Sequence, residues 1–550
     1  MRGNSPMTRS AALGAVGALM SGALLAGAVT AAPAAARDDH AGRDGHAGRD
    51  DQRRQGAAEE RGVRAAADRA AKAGIDWQDC PVDRGLAAPV QCGYVSVPLD
   101  YARPDGRTIK IAVDRVANTG GKEQRQGALV YNPGGPGASG LPFPLYVTGN
   151  HPVWAGTAKA YDFVGFDPRG VGRSAPVTCL DPKEAAKAPR PDPVPGSEAD
   201  KRAQRNRAEA YADGCFARSG DLLPHMTTAD TARDLDVIRA ALGEKQLNYL
   251  GVSYGTYLGA VYATLFPGHV RRMVVDSVVN PSRDKIWYRA NLDQDVAFER
   301  RWADWKKWVA GHDAVYHLGG TPAEVQARWE KLRADAAKNP VGGTVGPAEL
   351  TDLFQNAPYS DFMWAPLAAI WSAYASGNEQ PLIIAAGAAN ADPAATENAN
   401  AAYTAVECAD AAWPTSWKTW DRDNTRLHRQ APFMTWSNAW KNLPCATWPV
   451  KRRPTTEVGT GEGLPPVLIV QSARDAAAPY EGAVELHKRL KGSRLITERD
   501  AGSHGVTDLV NPCVNDRVEA YLVRGRTDAE DVTCAPHAAP EPAPAPTGGR

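Results

Sequence analysis

The chain has 550 residues, and its 63 lysines and arginines are balanced by 63 aspartates and glutamates. This length exceeds that of one small domain and suits a large domain that carries an insertion and terminal tails. Because the net charge is zero, electrostatics give no reason to expect nucleic acid or an anionic membrane as a partner, and we expect neither.

Residues 1–36 have the pattern of an export signal. Arg2 and Arg9 precede an apolar stretch over residues 11–32, and three alanines at 34–36 end it before charged residues begin. A retained membrane anchor is the alternative, but the stretch is rich in alanine and glycine and ends in a cleavage-like site. No other apolar run in the sequence is long enough to span a bilayer. The sequence therefore predicts a secreted, extracellular protein with no membrane association after signal removal.

Residues 37–74 are predicted to be a polar, low-complexity leader. They contain a short repeat, His40-Ala41-Gly42-Arg43-Asp44 followed by His46-Ala47-Gly48-Arg49-Asp50, and almost no large apolar side chains. This composition predicts a segment that cannot bury a core and serves as a pro-segment or a flexible leader. We expect its two histidines to be solvated rather than bound to a metal.

The eight cysteines predict disulfides. An even number in an exported chain, with no Cys-x-x-Cys pair and no histidine cluster, favours bridges over a metal site, and we expect neither a metal nor another cofactor. Eight cysteines allow about 105 full pairings, but sequential neighbours lie close in the chain. The predicted bridges are Cys80–Cys92, Cys179–Cys215, Cys408–Cys445 and Cys513–Cys534.

Residues 75–280 are predicted to form the first part of an α/β core with six strands. Alternating apolar and polar residues predict antiparallel strands at 94–99 and 108–113, whereas continuous apolar runs predict buried parallel strands at 127–131 and 161–166. Strands at 247–250 and 272–279 follow, each after a predicted helix. In the glycine-rich turn after the fourth strand, we expect Asp167 and Arg169 to pair and hold the loop.

The motif Gly251-Val252-Ser253-Tyr254-Gly255 lies between the fifth predicted strand and a helix. This is the sequence form of a tight strand-to-helix turn that strains a serine and exposes its hydroxyl, and the two glycines provide the necessary room. Ser253 is therefore the predicted nucleophile, with an ordinary glycine turn as the alternative. The loop Asn132-Pro133-Gly134-Gly135-Pro136-Gly137 follows a buried strand, so we assign the N–H groups of Gly135 and Tyr254 to an oxyanion hole.

Residues 281–465 differ in character from the core. Thirteen of the fifteen tryptophans lie between Trp287 and Trp448, in segments with the pattern of amphipathic helices. We expect a separate helical lid above the strand ends. One interpretation is that its tryptophans simply pack this unit. Another is that some of them line a pocket between lid and core, and the two are compatible.

The core resumes at 466–534, with strands at 466–471 and 494–498. Asp475 follows the first of these strands and His504 follows the second, so serine, aspartate and histidine occur in the chain order of an α/β hydrolase. His504 is the predicted base, and Asp475 the acid that orients it. Asp276, at the end of the sixth strand, is the rival for the acid. Residues 535–550 are rich in proline and alanine and are predicted to be a disordered tail.

The Asn132 to Gly137 loop, the Gly165-x-Asp167-x-Arg169-Gly170 turn, the Gly-Val-Ser-Tyr-Gly-Thr elbow and the Cys408-x-Asp410 stretch together carry a family resemblance. From about Trp77 to Cys534 the chain resembles the secreted bacterial tripeptidyl aminopeptidases, a proline iminopeptidase-like branch of the α/β hydrolases. The resemblance implies an α/β-hydrolase fold with a large, mainly helical lid inserted after the sixth strand. It also implies release of tripeptides from free N-termini by a serine exopeptidase, which we expect to be a monomer.

Three other functions remain open at this point. A secreted esterase, or a proline iminopeptidase-like aminopeptidase, would use the same three residues. A non-catalytic binding protein on the same scaffold is the third possibility, but such proteins usually lose a catalytic residue.

An exopeptidase that counts from the N-terminus needs a carboxylate for the cationic α-amino group. Glu407 and Asp410 are the candidates, because they flank Cys408 in the lid and similar sequence recurs in the resembling family. The alternative is that these carboxylates cap a helix or form a surface salt bridge.

Overall fold

The computed structural model describes residues 44–81, 85–149, 151–388 and 391–543, so the predicted signal at 1–36 lies outside the described residues. A ten-stranded sheet forms the centre, in the order β1-β2-β3-β5-β4-β6-β7-β8-β9-β10. Its strands are β1 Gln78–Asp79, β2 Gln91–Pro98, β3 Thr108–Val116, β4 Ala128–Asn132, β5 Asp162–Phe166, β6 Leu247–Val252, β7 Val270–Asp276, β8 Leu468–Ser472, β9 Arg494–Glu498 and β10 Val532–Cys534.

The sheet is antiparallel at one edge and parallel elsewhere. The pairs β1–β2, β2–β3 and β3–β5 are antiparallel, and every pair from β5–β4 to β9–β10 is parallel. Strands β4, β5 and β6 are buried along their whole length, as expected for continuously apolar strands inside a parallel sheet. All eight predicted strands are present. The sequence did not reveal β1 and β10, which have only two and three residues. Because β1 precedes the predicted strands, the sixth predicted strand is β7, and the lid follows it.

Helices cover both faces of this sheet. Alternate residues of each strand point to opposite faces, so Val130 packs in the cluster that includes α6 and α7, while Leu129 packs with α3 and α19. The helices outside the lid are α1 Asp44–Ala73, α2 Leu145–Thr148, α3 Ala155–Ala160, α4 Pro182–Ala185, α5 Glu198–Ser219, α6 Thr228–Ala241, α7 Tyr254–Leu265, α18 Glu481–Arg489 and α19 Pro512–Arg524. The arrangement is the α/β-hydrolase fold.

Ten helices of the described residues form the lid between β7 and β8. They are α8 Tyr288–Gly311, α9 Asp313–Tyr316, α10 Pro322–Lys338, α11 Pro347–Phe354, α12 Asn356–Tyr359, α13 Trp364–Ala375, α14 Gln380–Gly387, α15 Pro393–Asp410, α16 Trp417–His428 and α17 Thr435–Asn442. Trp302, Trp305, Trp329 and Trp371 pack together in a hydrophobic cluster of the lid's own. These tryptophans therefore fill the interior of the lid.

The prediction of a leader unable to bury a core is wrong for the described part of residues 37–74. Helix α1 packs against α6 and β2, and Val63, Ala66 and Ala70 are buried in the main core. A Cβ at Gly62 would lie 1.8 Å from the carbonyl oxygen of Tyr101, so glycine allows the helix to approach the core closely. Small residues suffice here because the approach is so close. Within the described ranges, no helix has both the length and the apolarity needed to cross a bilayer.

The prediction of a disordered tail is also wrong for residues 535–543. These residues have no regular secondary structure, but they make hydrogen bonds to both core and lid. Residues 544–550 lie outside the described residues. The tail is ordered by backbone groups and one histidine, which composition does not reveal.

The predicted pair between Asp167 and Arg169 does not form. Arg169 instead makes a two-point ion pair with Asp234 of α6, at 2.6 and 2.7 Å, and both side chains are buried. Tyr101 donates a third hydrogen bond to the Asp234 carboxylate. Asp167 accepts from the Ser139 hydroxyl and from the backbone N–H of Arg173. Both residues hold their loop, but through other partners.

All four predicted disulfides are confirmed, at Cys80–Cys92, Cys179–Cys215, Cys408–Cys445 and Cys513–Cys534. One of them marks a second insertion in the core, which the sequence did not reveal. Cys179–Cys215 joins α5 to the segment after β5, and α5 packs against the lid helix α17. Two insertions, the lid and the segment that contains α5, therefore cover the strand ends.

Candidate active site

Ser253 occupies the turn between β6 and α7 with φ 59° and ψ −127°, a conformation that non-glycine residues rarely adopt. A Cβ at Gly251 would lie 2.3 Å from the carbonyl oxygen of Gly255, and one at Gly255 would lie 2.4 Å from that of Asn132. Only glycine fits at either position. The strand, the turn and the helix therefore have the geometry that the motif predicts for an exposed nucleophile.

Asp475 and His504 are hydrogen-bonded to each other. Nδ1 of His504 lies 2.9 and 3.0 Å from the two carboxylate oxygens of Asp475. Asp475 is fully buried, and its Oδ1 also accepts the backbone N–H groups of Ala477 and Ala478 at 2.9 and 3.0 Å. The loop after β8 thus fixes the carboxylate, which in turn fixes the orientation of the imidazole.

Asp276, the rival acid, bonds to other partners. Its Oδ2 accepts the backbone N–H and the hydroxyl of Thr507, both at 2.7 Å. The neighbouring Ser277 hydroxyl accepts the N–H of Gly505 at 2.8 Å. Asp276 therefore supports the loop that carries His504 without bonding to the imidazole.

The protonation equilibrium of His504 reflects its surroundings. Burial disfavours the imidazolium, but the attraction and hydrogen bond of Asp475, with a smaller contribution from Asp276, outweigh burial and raise the pKa of His504. The histidine is a stronger base than an isolated imidazole.

The Ser253 hydroxyl and the His504 imidazole form no hydrogen bond within the described part of the chain, although their loops adjoin. The N–H of Ser253 donates to the Asp276 carbonyl at 3.0 Å, and Gly505 bonds to the next residue, Ser277. Such catalytic contacts are often long before substrate binds and shorten with it. The loops that carry Ser253 and His504 are therefore both anchored at residues 276–277.

The Asn132–Gly137 loop lies against the elbow, as expected for an oxyanion loop. A Cβ at Gly134 would lie 2.7 Å from the Ser253 Cβ and 2.9 Å from the Tyr254 nitrogen. Asn132 holds the loop by accepting the Gly134 N–H at 3.0 Å. Within the described residues, the N–H groups of Gly135 and Tyr254 have no protein acceptor, so both can bond a developing oxyanion.

A cavity of about 560 Å³ opens above Ser253 and Gly135, enclosed by the lid and α5. Its volume lies within the usual range for small-molecule sites, about 300–1,000 Å³. Trp287 and Trp440 are among its walls, so lid tryptophans line the cavity as well as fill the lid. Of the two predicted carboxylates, Glu407 lines this cavity.

Glu407 is 2% exposed, and Asn291 donates to its Oε2 at 3.5 Å. Burial raises the pKa of Glu407 to about 8, although Tyr403 and the charge of Lys441 act in the opposite direction. Burial likewise lowers the pKa of Lys441 to about 7. The Lys441 Nζ lies 3.9 Å from the centre of the Tyr403 ring and has no hydrogen-bond partner among the described residues.

Asp410 is not among the described residues that line the cavity. It caps a helix instead, which is the alternative stated above. Its carboxylate accepts the N–H of Thr228 at 2.8 Å and the Thr228 hydroxyl, at the start of α6. The same hydroxyl lies 2.7 Å from the Tyr254 phenol oxygen. Asp410 thus joins the end of α15 to α6, and its prediction as a substrate-binding residue is corrected.

Helix α15 is fixed along its length, which fixes Glu407. At its start, Glu397 accepts the N–H groups of Cys179 and Leu180 at 2.7 and 2.9 Å. At its end, the Cys408–Cys445 bridge and the bonds of Asp410 hold it. In the middle, a Cβ at Gly137 would lie 2.5 Å from the Ala399 carbonyl, so the Asn132–Gly137 loop packs directly on the helix.

Several residues of the site were not predicted. Asn400 and Tyr403 line the cavity and lie seven and four positions before Glu407. This spacing places all three residues on one helix face, so it could have been used to predict them. Lys441 and Tyr359 also line the cavity, and nothing in their local sequence distinguishes them.

The chain is similar in sequence to several known proteins. A sequence profile of the family described as TAP-like protein matches residues 431–534. The serine protease Hip1 of Mycobacterium tuberculosis is 32% identical over 483 residues, which are 84% of this chain and 91% of that protein. A protein named carboxylesterase B, from the same species, is 33% identical over 478 residues, 84% of this chain and 90% of that protein.

A tripeptidyl aminopeptidase of Streptomyces lividans is more similar, at 68% identity over 545 residues, covering 98% of this chain and 100% of that protein. Identity at this level over nearly the whole chain, on an α/β-hydrolase fold, shows the family. The chain belongs to the tripeptidyl aminopeptidase family and is a serine hydrolase that acts on peptides.

Proposed function

We propose that the protein is a secreted serine exopeptidase that releases tripeptides from the free N-termini of peptides. The observation that carries this proposal is a buried carboxylate, Glu407, in the same lid-covered cavity as Ser253. The cavity offers a nucleophile at its floor and a group that can bind an ammonium in its wall. The four disulfides fit the oxidising surroundings of a secreted protein.

Ser253, His504 and Asp475 act as the catalytic triad in this proposal. The Ser253 hydroxyl attacks the carbonyl carbon of the third peptide bond while His504 takes its proton, and Asp475 stabilises the imidazolium. The N–H groups of Gly135 and Tyr254 bind the oxyanion of the tetrahedral intermediate. His504 then protonates the leaving amine, which leaves a tripeptidyl ester on Ser253. Water, deprotonated by His504, hydrolyses this ester and frees the tripeptide.

Glu407 binds the α-ammonium group of the substrate. Three extended residues span roughly 10 Å, so an enzyme that counts three residues must hold its ammonium site at a constant distance from the nucleophile. Helix α15 meets this need because it contacts the oxyanion loop at Gly137 and is anchored at both ends. A contact between opposite charges is also stronger in such a buried site than in water.

Protonation of Glu407 couples to this binding. Its pKa of about 8 means that the carboxyl group holds a proton over much of the neutral range. A bound ammonium favours the ionised form, so binding releases this proton. A neutral acyl group gains nothing from the carboxylate. The cavity thereby distinguishes free N-termini from blocked ones.

A peptide library tests the proposal. The purified protein is incubated with peptides of matched sequence whose N-termini are free or acetylated, and the products are identified by mass spectrometry. We expect tripeptides from the free peptides and little cleavage of the acetylated ones. Single amino acids as the products would instead indicate a proline iminopeptidase-like enzyme, and equal cleavage of both sets would contradict recognition of the N-terminus.

An esterase is the second candidate, since one relative at 33% identity is named carboxylesterase B. The same triad would hydrolyse short acyl esters. A buried, ionisable wall residue is of no use to a neutral ester, however, and its burial is costly. Turnover of acyl esters with no hydrolysis of peptide anilides would favour the esterase.

A further inference from the structure

Residues 535–543, which we name the C-terminal strap, run from the core onto the lid. Near its start, Asn511 donates to the Ala535 carbonyl at 2.9 Å. Further along, the indole of Trp308 in α8 donates to the Pro540 carbonyl at 3.2 Å, and the Ala543 N–H donates to the Tyr316 phenol oxygen at 3.0 Å. The strap therefore joins the two units that enclose the cavity.

His537 is the side chain of the strap that contacts both units. Its backbone N–H and its Nδ1 lie 2.8 and 2.9 Å from Oε1 of Glu498, the buried last residue of β9. Its Nε2 lies 3.4 Å from the Asp361 carboxylate, which belongs to the lid. One imidazole thus bridges a core carboxylate and a lid carboxylate.

Asp361 adjoins the part of the lid that holds His504. The Asp361 N–H donates to the Ser503 hydroxyl at 3.0 Å, and two residues earlier the Tyr359 carbonyl accepts the His504 N–H at 2.8 Å. These two bonds fix the histidine loop to the lid, one through the Ser503 hydroxyl and one through the His504 backbone. The position of the lid at 359–361 therefore sets the position of His504.

We propose that His537 is a positioning residue, which fastens the lid segment 359–361 to the core and so holds His504 in place for proton transfer. The proposal rests on the role of His504 as the base in the proposed function. It does not depend on the identity of the peptide, because every substrate of the triad needs the same base.

The charges around His537 favour its imidazolium form. The carboxylates of Glu498 and Asp361 contact it. Arg301 of α8 pairs with Asp361 and with Asp304, and Asp304 also pairs with Arg474. The hydrogen bonds to Asp361 and Glu498 outweigh burial and raise the pKa of His537 to about 9. The bridge is therefore complete below the ordinary histidine pKa, near 6.5, and persists through neutral pH. It is lost as the pH rises through about 9.

His537→Gln tests the proposal, with Glu541→Gln as the matched control at an exposed strap position. The substrates are a free-N-terminal peptide anilide and an N-acylated ester. We expect His537→Gln to lower kcat about 10-fold on both, with KM changed by less than about twofold, and Glu541→Gln to behave as wild type. A loss of kcat on the ester, which has no ammonium group, distinguishes this positioning role from ammonium binding. If the wild type hydrolyses the ester but releases no tripeptides, only the proposed function is refuted.

The pH profile of the unmodified enzyme is the second measurement and needs no variant. We expect kcat on the ester to decline as the pH rises through about 9 in the wild type, and to show no such decline in His537→Gln. A His537→Gln variant with wild-type kcat would overturn the proposal, even if its melting temperature were lower. So would a wild-type kcat that stays level through the titration of His537.

Discussion

The backbone N–H of His504 donates a 2.8 Å hydrogen bond to the carbonyl of Tyr359, so a lid residue holds the loop that carries the histidine. The rings of the two residues also meet edge to face, with centroids 5.5 Å apart. The lid therefore has two roles at this site, because it closes the cavity and it supports the loop that carries His504. Changes in the lid should act on kcat as well as on binding.

Ser253→Ala should reduce kcat by at least about 10⁴-fold, since removal of a triad nucleophile leaves only the oxyanion hole and substrate binding. The fold should persist because the substitution removes one hydroxyl and leaves the glycines of the turn in place. The measurement is peptide anilide hydrolysis, together with the thermal unfolding midpoint. A variant that keeps the wild-type rate would exclude Ser253 as the nucleophile.

The two candidate acids can be separated by comparing Asp475→Asn with Asp276→Asn. The first should lower kcat by about 10³- to 10⁴-fold, because the imidazole loses the carboxylate that fixes its tautomer and stabilises its cation. The second should have a much smaller effect on kcat and act mainly on stability, because Asp276 bonds to Thr507 rather than to the ring. The reverse order of the two kcat losses would assign the acid to Asp276.

As the solution becomes more acidic, activity should be lost at a higher pH than it would be with an ordinary histidine as the base. His504 must be neutral to accept the Ser253 proton, and its pKa is raised, so the rate is lost as the pH falls through a value above 6.5. The measurement is kcat/KM against pH with an N-acylated ester, which has no ammonium of its own to titrate. A midpoint below 6.5 would contradict the proposed environment of the base.

The buried pair of Arg169 and Asp234 should be essential for stability. Asp234→Asn leaves the guanidinium without its charge partner in a dry site, so the free energy of unfolding should fall by about 3–5 kcal/mol. Urea denaturation of the variant and the wild type measures this difference. Asp167→Asn is the comparison, since the sequence suggested Asp167 as the partner. A larger loss for Asp167→Asn would contradict the observed pairing.

The sequence predicted the eight longer strands and the three candidate catalytic residues because each has a strong local signal. The glycines around Ser253 are dictated by backbone contacts of 2.3 and 2.4 Å, which no other residue permits. Asp475 and His504 each follow a buried strand whose end faces the same edge of the sheet. Such local constraints are visible in a single sequence.

The remainder of the site depends on contacts between distant segments. Helix α1 was misjudged because Ala66 and Ala70 can form a core surface only against the closely packed α6. The partner of Arg169 is Asp234, 65 positions away, and nothing near either residue indicates the other. The same holds for the strap, whose order depends on Glu498 and Asp361.

Glu407→Gln should raise KM for free-N-terminal tripeptidyl substrates by about 10- to 100-fold, the worth of a charge-assisted contact of roughly 1.5–3 kcal/mol. It should hardly affect N-acylated peptides or esters, because these carry no ammonium. Wild-type KM for the free substrates should also improve as the pH rises toward 8, where Glu407 becomes ionised. The variant should lose this dependence.

Asp410→Asn is the matched control, because it changes a carboxylate three residues away on the same helix that bonds to Thr228 outside the described cavity lining. It should lower the melting temperature and leave the ratio of KM values for free and acylated substrates unchanged. Steady-state kinetics on both substrate types, below the melting temperature of each variant, make the comparison. Equal losses for Glu407→Gln on free and acylated substrates would show that Glu407 shapes the cavity without binding the N-terminus. A selective loss in Asp410→Asn would return the ammonium site to Asp410.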